Sequence, residues 1–284
     1  MTADCRRPQT LRFSVVVPAH NEADDLPRTL RSLQQQDFPG PYEVIVVDNA
    51  STDRTAEVAE RFGVRVVRED RLGVCAARQR GTDAAAGEIV VSTDADTVHD
   101  RAWLSLIDAQ FRSHPQAVAV AGPCRYAEPT WWAGIFPPLW FAALAGIHRI
   151  TGRVSYLTAT NVAFRRRDFP GYDTALAQGG DEMDLLRRLR RVGPIVWDAG
   201  NPVTTSSRRM DQGLLHTLFV SFGYHYAWSY LRSRRTGTPH VAPAIRRQHA
   251  GLIRRRRQLW RMALLSVALG STLLRLTRSR RRTE

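Results

Sequence analysis

The sequence predicts an α/β fold, a mostly parallel sheet flanked by helices, followed by a C-terminal helical extension. Three observations carry this expectation. From residue 13 to residue 122, short apolar runs alternate with segments of helical periodicity, the pattern of repeated βαβ units. One of these runs, Ile89-Val90-Val91, has the continuous apolar character of a strand covered on both faces. Three of them stop at polar segments that carry Asn21 and Glu22, Asp48, and Asp94-Ala95-Asp96. Acidic residues therefore collect at one sheet edge, where open α/β sheets bind their ligands.

Taken in order, residues 13–17 form the first strand, which ends at Pro18-Ala19-His20-Asn21-Glu22. Pro27 opens a helix in which Leu26, Leu30 and Leu33 recur at helical spacing. Residues 42–47 are the second strand, broken at Asp48-Asn49-Ala50-Ser51-Thr52-Asp53, where Ser51 or Thr52 is expected to cap a helix through Phe62. Residues 64–67 read as a third strand, 73–86 as a helix, and 88–93 as the strand that delivers Asp94 and Asp96. Asp is a poor strand former, so these carboxylates fall where the strand ends. A helix over 101–113 and a strand over 117–122 complete the unit.

After Pro123 the character changes. Residues 131–147, beginning Trp131-Trp132, are strongly apolar with a Pro137-Pro138 break. They are too short and too broken to span a bilayer. They read as a core helix or acceptor-pocket wall, or as a segment lying in a membrane interface, where Trp is enriched. Residues 155–164 look like a strand pair. Residues 180–192 read as a helix whose acidic first turn, with Asp181, Glu182 and Asp184, and Arg-rich last turn suit the helix dipole. Residues 244–283 alternate Arg clusters with the apolar run 262–274 and read as a basic amphipathic or interfacial helix.

The 284-residue chain carries a net charge of +14, and all 41 of its basic residues are arginine. Arg clusters at 165–167, 187–191, 254–257 and 278–282, whereas the first 110 residues are nearly balanced, which points to an anionic partner surface. No zinc-knuckle spacing, helix-turn-helix signature or aromatic RNP-like segment supports nucleic acid, and anionic lipid fits better. Three distant cysteines, Cys5, Cys75 and Cys124, support neither a disulfide framework nor a zinc site. Residues 1–9 contain no apolar signal region. The expectation is a cytoplasmic protein, peripheral on the inner face of the plasma membrane.

Two hard carboxylates at a sheet edge, Asp94 and Asp96, suit Mg²⁺ or Mn²⁺ carrying a substrate diphosphate. The same pair also reads as caps for a turn and the helix after it. The histidines His99, His148, His216 and His225 read as surface or packed residues. Trp131, Trp132, Trp140, Tyr224 and Trp228 read as packing residues rather than a sugar-stacking platform.

Together, Val16-Val17-Pro18-Ala19-His20-Asn21-Glu22, Asp48-Asn49-Ala50-Ser51-Thr52-Asp53-Arg54-Thr55, residues 73–87 and Asp94-Ala95-Asp96 resemble the inverting glycosyltransferases of family 2, with the GT-A fold. Order and spacing agree over the first 125 residues or so, and a weaker likeness continues through Thr160-Asn161 to about Arg209. The resemblance implies a glycosyltransferase domain over 1–210, divided into a nucleotide-sugar half (11–125) and an acceptor and catalytic half (126–210). A basic, membrane-associated extension over 211–284 would follow it.

By this resemblance Pro18, Ala19, Asn21, Glu22 and Ala95 belong to the nucleotide-sugar pocket, and Asp48 accepts a hydrogen bond from the base. Arg78 lies near the base or the phosphates, Asp94 holds the ribose hydroxyls, and Asp96 binds the Mg²⁺ or Mn²⁺ that bridges the diphosphate. Family members carry an acidic pair, commonly Glu-Asp, at a helix start. Here it is Asp181-Glu182, and aligning Gly180 and Leu185 puts Glu182 at the catalytic-base position, with Asp181 as the alternative and Asp184 nearby. Gln79 stands where Asn is usual. The partners implied are a nucleotide-sugar donor and a hydroxyl acceptor, lipid-linked or an envelope glycan. The competing classes are a non-catalytic, membrane-tethered nucleotide-sugar-binding module and a nucleotidyltransferase, though the latter calls for a Gly-rich basic loop after the first strand.

Overall fold

The computed structural model describes residues 11–127, 134–176, 181–208 and Trp228. Expectations placed on residues 1–9, Trp131, Trp132, Gly180, His216, Tyr224, His225 and the basic segment 244–283 lie outside the described residues.

In chain order the strands are β1 (Phe13–Ala19), β2 (Tyr42–Asn49), β3 (Arg65–Glu69), β4 (Ile89–Ser92), β5 (Ala119–Ala121), β6 (Cys124–Ala127), β7 (Val162–Arg165), β8 (Ile195–Trp197) and β9 (Val203–Ser206). The helices are α1 (Leu26–Gln34), α2 (Thr55–Arg61), α3 (Val74–Ala84), α4 (Trp103–Ser113), α5 (Phe136–Thr151) and α6 (Asp181–Val192). Seven strands make the main sheet in the order β3-β2-β1-β4-β7-β5-β8. β7 runs antiparallel to both of its neighbours and every other pairing is parallel. β6 and β9 pair separately. The sheet is thus mostly parallel, with helices on both faces, as expected.

Period-2 alternation in β1 distributes the core. Phe13, Val15 and Val17 pack with Leu26, Leu30 and Leu33 of α1 and Trp103, Ile107 and Phe111 of α4. Val16 faces the other way, toward Cys75 and Ala77 of α3 and Leu185 and Leu189 of α6. On that second face α3 lies so close that a Cβ added at Gly81 would come within 2.3 Å of a Val16 methyl and 2.9 Å of one on Val47. Parallel register sets Ala19 beside Asp48 and Val16 beside Ser92, so the C-terminal ends of β1, β2 and β4 share one edge. Because β7 is antiparallel, the residues that precede it, Thr160 and Asn161, arrive at the same edge.

Several local expectations are corrected. Residues 155–164 hold one strand, β7, rather than a pair: Val154 and Leu157 are buried by packing, and Thr158 builds a turn by accepting from the Asn161 N–H (3.1 Å). Neither Ser51 nor Thr52 caps α2. The Ser51 hydroxyl accepts from the Asn21 N–H (3.0 Å), while Asp53 takes the Thr55 N–H (2.9 Å). Pro137 and Pro138 do not break α5 but occupy its first turn, where the missing N–H costs nothing. In the Arg165-Arg166-Arg167 cluster Arg165 is internal, whereas Arg166 and Arg167 are exposed. Buried Arg165 donates to the carbonyls of Ala117 (2.9 Å) and Pro115 (3.1 Å), and Arg166 to that of Gly87 (2.9 Å).

Candidate active site

The loops after β1 and β2 are stitched to each other. Asn21 sits at φ 55, and its side-chain oxygen accepts from the backbone N–H groups of Thr52 (2.7 Å) and Asp53 (3.1 Å). The Glu22 N–H donates to the Thr55 hydroxyl (2.9 Å). Ala50, at φ 52, is a second left-handed non-glycine, and such strain concentrates where a surrounding network over-determines it. Asp48 takes the Ser51 N–H (3.2 Å). Asn49 holds the next loop by donating to the carbonyls of Glu69 (2.9 Å) and Arg71 (2.8 Å) and accepting from the Gly73 N–H (2.8 Å). Asn21 therefore holds the loops after β1 and β2 together.

A buried guanidinium joins the two acidic segments. Arg78, on α3, donates to Asp94 (2.8 Å) just past β4 and to Asp181 (2.9 Å) at the start of α6. Burial disfavours its charge, but Asp94 and Asp181 outweigh burial and push its pKa up. The second Asp94 oxygen accepts from the Thr160 hydroxyl (2.6 Å) brought in by β7. Each carboxylate oxygen can accept more than one hydrogen bond, and the Asp94 side chain is still 32% exposed, so it can also take a ligand hydroxyl.

Glu182 lies beside Asp181 in the first turn of α6. It accepts from the Tyr156 hydroxyl (2.7 Å) and the Ala159 N–H (3.1 Å). Burial, followed by the neighbouring charge of Asp181, raises its pKa above the ordinary carboxylate range, and Tyr156 and Ala159 pull it back. A carboxyl with a raised pKa, held by two donors and buried beside the motif, is equipped to receive a proton. Asp184 points elsewhere and pairs with Arg187 (2.6 Å) and Arg188 of its own helix.

Asp96 accepts from the Thr205 hydroxyl (3.2 Å) of β9 and pairs with Arg208 (2.9 Å) just beyond it. The same Arg208 grips Glu22 with both nitrogens (2.6 and 3.0 Å) and lies 3.7 Å from Asp25. Burial pushes Glu22 up to about 7 against the lowering pull of Arg208, with Asp96 and Asp25 adding to the rise. Three carboxylates thus converge on one cation, a donor set of hard oxygens. Among the described residues no cluster of three or more His, Cys, Asp or Glu forms a metal cage. A Mg²⁺ or Mn²⁺ shared with substrate phosphates needs only one or two protein carboxylates, and Asp96 fits that role.

The structure therefore gathers Glu22, Asp48, Arg78, Asp94, Asp96, Asp181 and Glu182 along one edge, with half-buried Pro18 beside them. The methyl groups of Ala19 and Ala95 belong to the core, and the Ala95 carbonyl is fixed by the Thr29 hydroxyl (2.7 Å). His99 is a packed histidine. It bonds Ser32 (3.1 Å) and Thr93 (2.8 Å), and burial pushes it down to about 3. Cys75 and Cys124 are buried free thiols. Sequence reasoning missed Tyr156 and Arg208, because neither belongs to a motif and each is placed by distant chain.

The model of Glycosyl transferase family 2 matches residues 14–171 of this chain. The chain is similar to glycosyltransferase AglE of Haloferax volcanii, 35% identical over 103 residues, covering 34% of each protein. It is also similar to an uncharacterized glycosyltransferase of Mycobacterium tuberculosis, 41% identical over 97 residues, 34% of this chain and 42% of that one. The chain thus spans less than half the length of these curated relatives. Among solved structures, TarS (1-349) of Staphylococcus aureus superposes with a TM-score of 0.57 at 19% identity, covering 71% of this chain and 63% of the other. Glucosyl-3-phosphoglycerate synthase of M. tuberculosis, crystallised with Mn²⁺, UDP and glucosyl-3-phosphoglycerate, superposes with a TM-score of 0.55 at 24% identity, covering 81% of both. The sheet order with its antiparallel β7, the acidic edge and the family match over residues 14–171 agree: this chain belongs to glycosyl transferase family 2 and has the GT-A fold.

Proposed function

We propose that the protein moves a sugar from a nucleotide-sugar to an acceptor hydroxyl with inversion, using a divalent cation. The observation that carries this is the Arg78 bridge, which joins Asp94, just past β4, to Asp181 at the start of α6 across 2.8 and 2.9 Å. This supports a reading in which a polar donor side and a buried, proton-accepting acceptor side adjoin along one sheet edge. On the donor side Asp48 takes the base, Asp94 the ribose hydroxyls, and Asp96 the cation. Mg²⁺ or Mn²⁺, when bound, would neutralise charge developing on the nucleoside diphosphate as it leaves. On the acceptor side Glu182 removes the hydroxyl proton while the oxygen attacks the anomeric carbon. The bond to the diphosphate breaks on the opposite face. Glu182 is preferred to Asp181 because the Asp181 carboxylate is committed to Arg78, whereas the donors to Glu182 are neutral groups.

The acceptor we favour is lipid-linked, on the inner face of the plasma membrane. α5 and its N-cap leave Ile135, Leu139, Ile147 and Ile150 exposed, exposed Arg149 and Arg153 lie at its C-terminal end, and exposed Arg190 donates to the Val154 carbonyl beside them. Its Trp140 and Phe141 rings lie 6.5 and 6.3 Å from that of Tyr156, the residue bonded to Glu182. An apolar face with an Arg rim therefore borders the proposed base, which suits an amphiphilic acceptor on an anionic surface. Among the described residues no helix is long and apolar enough to cross a membrane.

The test is incubation of the full chain with radiolabelled UDP- and GDP-sugars and native lipid extract, with Mn²⁺ or with chelator. We expect metal-dependent transfer to lipid that Asp96→Ala abolishes. Full turnover in that variant, or in chelator, would remove the cation from the reading.

A further inference from the structure

Arg208 lies among Glu22, Asp25 and Asp96, at 2.6, 3.7 and 2.9 Å, while Asp25 is also paired with Arg28 at 2.9 Å. Asp25 is buried and the Asp96 and Glu22 side chains are 10% and 15% exposed, so three carboxylates share a site poor in water. Their mutual repulsion is relieved by a cation among them. Yet Asp96 is also the residue best placed to hold the donor's cation. With metal and donor bound, Asp96 would have a divalent cation to neutralise it, and the diphosphate would bring new negative charge beside the guanidinium. A planar guanidinium binds phosphate oxygens with the same two-pronged geometry that it uses here on Glu22.

We infer that Arg208 is an exchangeable clamp. Without donor it neutralises Glu22 and Asp96. When the cation and diphosphate arrive, it yields Asp96 to the cation and turns its fork onto the phosphate oxygens. It is a positioning residue, and the inference rests on the function proposed above. It differs from a merely structural ion pair in demanding effects of opposite sign. Removing Arg208 should help the bare metal to bind and hinder the nucleotide.

The experiment is calorimetric titration of the full chain, as wild type, Arg208→Gln and Arg208→Lys, with Mn²⁺ alone and then with UDP or GDP at saturating Mn²⁺. For Arg208→Gln we expect Mn²⁺ alone to bind about tenfold tighter. The nucleoside diphosphate should bind about ten- to a hundredfold weaker, the worth of one charge-assisted fork. Arg208→Lys keeps the charge without the fork. It should bind bare Mn²⁺ as the wild type does while still losing nucleotide affinity, and it carries the test if the Gln variant does not fold. Nucleotide affinity within twofold of wild type in both variants, or no gain for bare Mn²⁺ in a folded Gln variant, would overturn the clamp. A wild type that binds neither diphosphate overturns the functional proposal and the clamp with it. Wild-type binding with unaltered variants overturns the clamp alone.

Discussion

Tyr156 shows how a single hydroxyl sets the working range of the site. Glu182 is driven upward first by burial and then by Asp181, and the hydrogen bond from Tyr156 (2.7 Å) favours its charged form. The base must be deprotonated, so transfer fails as pH falls through its pKa. Tyr156→Phe removes a stabiliser of the carboxylate, and the pKa must rise. The acid limb of the kcat/KM profile should therefore move to higher pH by roughly one unit, since a hydrogen bond to a charged group is worth on the order of 1.4 kcal/mol or more. A pH–rate series on both proteins checks this, and a shift to lower pH would refute the assignment. None of this was legible in the sequence. Tyr156 lies in coil between α5 and β7, and its meeting with Glu182 depends on where α6 docks, 26 residues later. The carboxylates themselves were legible, because Asp48, Asp94 and Asp96 end apolar strands, where a local break in periodicity shows.

At the scale of elements, strands β1 to β5 and helices α1 to α4 and α6 were legible, because each carries an apolar run or a helical periodicity of its own. Three further short strands were not. β6, β8 and β9 carry too few residues to establish a period, and their pairing is set by register with distant chain. Arg208 was lost for the same reason, since β9 reaches the acidic edge through its pairing with β6 and its bridge from Thr204 to Val98. The tight seating of α3 makes a separate prediction. α3 carries Arg78, and Gly81 lets it rest on the sheet with no Cβ between helix and Val16. Valine χ1 is stiff, so neither Val16 nor Val47 can turn away cheaply. Gly81→Val should destabilise the protein by about 1–3 kcal/mol, the usual cost of overpacking a dense core. Urea unfolding measures it, and an unchanged midpoint would mean that α3 sits more loosely than described.

At the scale of the molecule, arginines among the described residues serve two different jobs. Arg78, Arg165 and Arg208 are internal and hold carboxylates or carbonyls. Arg149 and Arg153 stay at the surface at the C-terminal end of α5, and Arg190 donates to the Val154 carbonyl beside them. Counting charge along the sequence could not make that division, because burial of an arginine is decided by fold. The surface set makes membrane association testable. The full chain should sediment with vesicles containing phosphatidylserine and much less with neutral ones, each nearby arginine contributing about 1 kcal/mol. Replacing Ile147 and Ile150 together by Asp should reduce that sedimentation severalfold. Equal binding to neutral vesicles would contradict an electrostatic contribution.

The two sides of the pocket stand or fall together on one measurement, a comparison of nucleotide binding with sugar transfer in Glu182→Gln. The substitution keeps the size and one acceptor oxygen, exchanges the other oxygen for an NH₂ and cannot accept the proton. Affinity for the nucleoside diphosphate with Mn²⁺ should stay within about twofold of wild type, while transfer falls by roughly 10²–10⁴, the usual contribution of a general base. Transfer undiminished in a variant that still binds nucleotide would contradict the assignment of Glu182 as the base.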